Sequence, residues 1–505
     1  MLADYMENIG YIQTFQRDVV DSDWERFDIY AKHVRKIGYR SHRASSMKSI
    51  AIDDKILRQL ETRGNSRILL PRLKVVLAEP GKNSIPATLL LSDSVRSVFL
   101  KPSPDFMEDI LQFLHAMTRA HSIKSLAFDE TDEDWQPEQF AEITRALEIL
   151  MKNVDLEEFS CEWLPLSGDD NSMMGSLMQM RNLQKLSIFM ELPKLKATLE
   201  TSTISESKMT NLAIWTGSDG FSDLPDILAN LQPAGLQTFE IHPPWGAPYT
   251  FLNREEVQSL MSALEEHCSA RALTIVDIEI VPDYPPPRIN PSGAIIEYGM
   301  IRPLFSFSNI RELCLADHTM DLTDEEIKEL AMSWPRLEAL FLSLYCPPGF
   351  RPRATLKCLL WLAIYCKHLS QMKFVFDATR HVADSDLEIV SRAVEARTKL
   401  EMFDVGDSSI DKPDQVAAFF SRIFPNLAPQ DLHWSDDDGF DEECQDMWEN
   451  VTSMMEGRSP ICEDEQEMSE DGSTTYEDVL ADVADAIRGG STMYEEGSSA
   501  SEDSE

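Results

Sequence analysis

The chain has 505 residues, 43% of them apolar, so it can bury more than one compact core requires. Its 87 acidic against 46 basic residues leave a formal charge of −41. Neutralising phosphates takes a basic face, so nucleic acid and anionic membrane are not expected partners, barring a local basic patch.

The N-terminal stretch Met1–Phe15 has no basic region followed by an apolar run, so it does not read as a secretory signal. The longest apolar run, around Cys358–Cys366, is too short to cross a bilayer. A cytoplasmic or nuclear protein is therefore expected. Residues 1–45 read as an N-terminal helical cap or linker, with one apolar cluster at Ile9, Ile12, Phe15, Val19 and Val20.

From residue 46 to 434 the chain repeats itself. The pattern apolar-x-x-apolar-x-apolar begins clearly at Val95-Arg-Ser-Val98-Phe-Leu100 and Ile123-Lys-Ser-Leu126-Ala-Phe128. It recurs from Leu156, Leu183, Met209, Leu236, Leu273, Ile310, Leu337, Leu369 and Leu400, with successive copies 26 to 37 residues apart. A degenerate copy starts at Leu73 and an eroded one lies near Leu427–Trp434. One such hexad means little, but eleven in register at that period mark a leucine-rich-repeat array. Residues two apart share a face of a strand, so the fourth and sixth positions point one way and their neighbours the other.

Helical stripes separate the strands. Ile327, Leu330, Ala331 and Trp334 form one, stopped by Pro335, and Phe140–Leu150, Val257–Leu264, Leu356–Tyr365 and Leu387–Val394 repeat the theme. No unit can bury its apolar side alone, so the units must stack. The expected fold is α/β: a solenoid with a curved parallel sheet and outer helices. The usual asparagine after the strand is missing, with residues such as Glu191 and His318 in its place, so the turn carbonyls need other partners and an irregular solenoid is expected. Six prolines between Val281 and Pro303 predict an extended loop, either a connector or a partner-binding projection.

Residues 435–505 hold 24 Asp/Glu and only two basic residues, Arg458 and Arg488, and predict a disordered acidic tail. Within it, residues 476–488 place Val479, Val483 and Ile487 on one helical face with Leu480 beside them, as a helix that forms on a partner's groove would.

No motif for catalysis stands out. There is no phosphate-binding lysine loop, no GxSxG and no HExxH; His115 and His121 are six apart, which suits no metal pair. Asp436-Asp-Asp-Gly439 falls short of a calcium loop, with Trp434 and Gln445 at ligand places. The acidic run Asp129–Asp134 reads as a solvated loop, and the eight cysteines, with no CxxC pair, as reduced thiols. No cofactor or metal is expected, and the chain reads as a monomeric, non-enzymatic binding protein. The candidate partner-contacting residues are outward strand positions: Lys185, Ser187, Gln237, Glu240, Arg311, Glu312, Glu338, Phe341, Gln371 and Lys373.

Several segments carry a family resemblance. Asp23-Trp-Glu-Arg-Phe-Asp-Ile-Tyr-Ala-Lys-His-Val-Arg35, Arg302–Leu313, Asp321–Leu340, Thr355–Leu369 and Val416–Leu427 together resemble the F-box/leucine-rich-repeat-like proteins expanded in basidiomycete fungi. The similarity covers about residues 23–434. It implies substrate recognition for a cullin-based ubiquitin ligase, with the F-box on the adaptor subunit and the repeats on the target. The residues before Asp23 show no Pro-x-Glu-Ile/Leu opening of an F-box. A free-standing repeat scaffold that binds protein is the alternative.

Overall fold

The computed structural model describes residues 20–38 and 54–457 together with the pairs 12–13 and 51–52. It leaves out internal stretches, the longer of which are 81–86, 164–171, 244–251, 279–294, 343–348, 381–398 and 435–441. Fourteen parallel strands form one sheet, each beside the repeat before and after it. They are β1 (Lys36–Gly38), β2 (Val75–Ala78), β3 (Ser97–Leu100), β4 (Ser125–Phe128), β5 (Glu158–Cys161), β6 (Lys185–Phe189) and β7 (Asn211–Trp215). Then come β8 (Thr238–His242), β9 (Ile275–Ile278), β10 (Glu312–Cys314), β11 (Ala339–Phe341), β12 (Gln371–Lys373), β13 (Met402–Asp404) and β14 (Leu432–His433).

The hexad explains the strand. Its fourth and sixth residues are buried: Val98 and Leu100, Leu126 and Phe128, Phe239 and Ile241 are all at most 4% exposed. They also align between strands, as in Leu186, Leu212, Phe239, Val276, Leu313, Leu340, Met372 and Phe403. A one-residue slip would turn that apolar row to the open face, so burial holds the register. A second ladder precedes the strands. The carbonyl of each hexad's second residue accepts two N–H groups from the next repeat; Gln184 takes Thr210 at 2.7 Å and Asn211 at 3.0 Å. The same two-donor arrangement runs from Arg35 to Ser370.

Helices cover the buried side. They are α1 (Asp21–Ala31), α2 (Asp54–Gly64), α3 (Met107–Met117), α4 (Pro137–Met151), α5 (Ser172–Met178) and α6 (Leu192–Thr201). The series continues with α7 (Leu224–Leu231), α8 (Arg254–His267), α9 (Asp324–Ser333), α10 (Leu356–Tyr365), α11 (Pro413–Ile423) and α12 (Glu442–Met455). Their starts follow local chemistry. Asn253 Oδ1 accepts from the N–H groups of Glu255 and Glu256 at 2.9 and 3.0 Å, while Glu256 takes the Asn253 N–H at 2.8 Å. Thr323 and Glu326 make the same reciprocal box before α9, and α4, α6, α7 and α11 carry proline in the first turn. The predicted stripe Ile327, Leu330, Ala331 and Trp334 is at most 1% exposed. One apolar core runs from Ala31 to Val451.

Four expectations are corrected. The sheet begins at Lys36, inside the stretch read as a cap, where Ile37 aligns with Val76 as the fourth residue of a hexad that starts at Val34. Residues 295–303, the end of the proline segment, are ordered. Ile296–Glu297 pairs with Met320–Asp321, Tyr298–Ile301 makes a helical turn, and Pro303 sits early in the 3-10 turn that follows, where its lack of an N–H costs little. Within the stretch read as a disordered tail, residues Glu442–Met455 form α12 instead. Its acidic composition concealed Cys444, Trp448, Val451 and Met455 on one helical face, and Trp448 and Val451 are fully buried. Residues 458–505, with Val479, Leu480, Val483 and Ile487, lie outside the described residues, as do 387–394.

The last correction concerns the missing asparagines. His318, Asp377 and Ser408 stand at that place in three repeats, 2%, 7% and 0% exposed. Ser408 Oγ donates to the Val405 carbonyl at 2.6 Å and accepts the Phe376 N–H at 2.9 Å. In that repeat a buried hydroxyl thus takes the amide's place, and strand pairing continues in register through β14.

Candidate protein-binding face

The third and fifth hexad residues project from the sheet face opposite the core and form two lanes across the strands. Seven of the ten predicted residues stand in them: Lys185, Ser187, Glu240, Glu312, Phe341, Gln371 and Lys373. Gln237, Arg311 and Glu338 do not. They are second-position residues, and pairing in the strand starts only at the third, so their side chains line a rim before β8, β10 and β11. On that rim Arg311 Nη1 meets Glu338 Oε1 at 3.2 Å, both half-exposed.

The lanes are chemically zoned. On β5 and β6, Lys185 Nζ lies 2.8 Å from Glu158 Oε1, and Ser187 Oγ donates to Glu162 at 2.9 Å. On β11 and β12, Lys373 Nζ sits 5.6 Å from the centre of the Phe341 ring. Between these zones Glu240 and Asp277 face each other across β8 and β9, and Glu312 follows on β10 beside Ile275. Partial burial, then the charges of Asp277, Glu240 and Glu338, push the Glu312 carboxyl above its ordinary pKa. Like charges side by side on a sheet oppose folding, so this zone is held by the repeats around it.

Next to the carboxylates, Trp215 and His242 are paired across β7 and β8 with ring centres 4.6 Å apart. His242 Nε2 is 3.8 Å from Glu240 Oε2. Small residues, Ala213, Thr238, Cys314 and Ala339, floor the zone, each at most 9% exposed. Sequence reasoning passed over Trp215, His242 and Asp277. Trp215 and His242 stand in a seventh place that the hexad does not include, whereas Asp277 is a fifth-position residue that the same rule finds.

Among the described residues no group of three His, Cys, Asp or Glu side chains is placed to hold a metal ion, and no helix is long and apolar enough to cross a membrane. Compared with known proteins, the sequence matches no family model, and no curated protein shows significant similarity to it.

Proposed function

We propose that the chain is a leucine-rich-repeat solenoid whose open sheet face is concave and holds a protein, and that it serves as the substrate-recognition component of a cullin-based ubiquitin ligase. It acts as a monomer in the cytoplasm or nucleus, by binding and without a cofactor. The observation that carries the binding reading is the Trp215–His242 pair beside Glu240, Asp277 and Glu312. An aromatic shelf, a floor of small residues and fixed charges on rigid strands are what a protein hot spot uses. The ligase role rests on the family resemblance of the repeats, which is an argument from analogy. A free-standing repeat scaffold that binds protein is the second reading, and it needs only the open sheet face.

The test is a pull-down of the purified full-length chain with recombinant ligase adaptor. Residues 1–19 are the segment to delete, because α1 and β1 belong to the array. Adaptor binding lost in that deletion but kept in Glu240→Lys/Glu312→Lys supports the receptor reading. Failure of the full-length chain to bind adaptor overturns it and leaves the scaffold.

A further inference from the structure

The rim that precedes the strands changes sign along the array. Its first four members are all cationic, Arg35, Lys74, Arg96 and Lys124, and Lys36 adds a fifth cation at the start of β1. The next is Glu157, and no cation returns until Arg311, which is paired. The lanes beside the four basic positions carry Lys36, Val75, Leu77, Ser97, Phe99, Ser125 and Ala127, with no carboxylate.

Arg35, Lys36, Lys74 and Arg96 are exposed, and among the described residues none makes an ion pair. Among the described residues Arg35 reaches the Lys32 carbonyl at 3.3 Å, and Arg96 reaches the carbonyls of Ser122 at 2.8 Å and Asp93 at 3.4 Å. Lys124 closes the row, 3.7 Å from both Asp155 and Glu157. In a chain with 87 carboxylates and 46 cations, four neighbouring cations left without a carboxylate run against composition. Phe99, 37% exposed, projects from β3 in the adjacent lane.

We propose that this rim, from β1 to β4, docks an extended, carboxylate-rich segment of a partner protein, with an apolar side chain of that segment against Phe99. Strands lie about 4.8 Å apart, so the row is about 14 Å long and matches four or five residues of extended chain at about 3.3 Å each. Charge complementarity selects the acidic segment. A polynucleotide fits worse: the cations form one row bounded by Glu157 and Glu158, the chain carries −41, and one exposed ring is no stacking series. The inference does not depend on what the central strands hold.

Fluorescence anisotropy of the full-length chain tests it with a labelled Gly-Glu-Asp-Leu-Glu-Asp-Gly peptide, the same peptide with Leu replaced by Gly, and a twelve-residue oligothymidine. The expected result is saturable binding of the first peptide that weakens with salt. Lys36→Glu/Lys74→Glu should cut its affinity at least tenfold and Arg96→Gln severalfold. Arg336→Glu/Arg422→Glu, an equal charge change elsewhere, should cut it less than twofold. Phe99→Ala should weaken the leucine peptide and leave the glycine peptide unchanged. No binding by the unaltered chain, an equal loss in both charge-reversal variants, or tighter binding of the oligothymidine overturns the proposal. Matching thermal melts for the variants and the parent exclude misfolding as the cause.

Discussion

The indole Nε1 of Trp448 donates to the Ser408 carbonyl at 2.9 Å, which ties α12 to the turn after β13. The same ring stacks on Phe420 at 6.1 Å and meets Phe376 edge-on at 6.3 Å. A repeat array ends in an apolar cross-section that needs a cover, and α12 supplies it with a fully buried tryptophan.

Trp448→Ala should therefore cost about 3–5 kcal/mol, the usual range for truncating a buried aromatic. Urea unfolding measures the loss, and hydrogen exchange should place it at β12–β14. Truncation after residue 434 should match it. A loss below about 1 kcal/mol would show that α12 leaves the end uncovered in solution.

Ser408→Ala removes the acceptor for the Phe376 N–H and the donor to Val405, both inside the core. The buried amide left without a partner should cost about 1–3 kcal/mol. Ser408→Asn, which restores the side-chain type common at this place in such repeats, should recover part of that. Equal stability of Ser408→Ala and the parent would remove the serine from the turn's support.

Glu312 titrates upward on folding, so the folded state binds its proton more tightly than the unfolded state does. Stability from this group is then present at low pH and lost as pH rises from the ordinary value of 4.5 through the raised one. Glu312→Gln should raise the melting temperature at pH 7 and change it little at pH 4. The opposite ranking would place a cation against the carboxylate.

Phe341 is half-buried on the open face under Lys373. Phe341→Ala should change stability by no more than about 1 kcal/mol, the scale of an exposed cation–π contact. Loss of partner affinity in that variant should reach about 2 kcal/mol if the ring is a binding anchor. Unfolding of the variant would mean that the ring belongs to the core.

Burial pushes the thiols of Cys268 and Cys366 up to about 12, and that of Cys358 well above its ordinary value. At pH 8 a disulfide reagent should modify half-exposed Cys444 before these three and reach them only after denaturation, read by peptide mass mapping. Rapid modification of Cys358 in the native protein would contradict the packing of α10.

Much of the architecture is visible in one hexad. Leu186, Leu212, Phe239 and Val276 show the strand, its buried side and its neighbours, because a period of two and a spacing of about thirty residues admit few other folds. The two ends differ: acidic residues around Trp448 resembled a tail, whereas Val34, Ile37 and Tyr39 fit the hexad and the same rule finds them. Seven of the candidate residues follow from strand parity, whereas Arg311 and Glu338 fall on the rim because pairing starts one residue later than the hexad does.

The sequence by itself determined the repeat, its period, which residues are buried and which can face a partner, since alternation and burial are local properties. Only the tertiary structure decided which side chains meet. Glu240 beside Asp277, Trp215 against His242 and the row of Arg35, Lys74, Arg96 and Lys124 come from strands 22 to 39 residues apart along the chain. Stacking in parallel register turns that separation into about 5 Å, and no window of the sequence contains it.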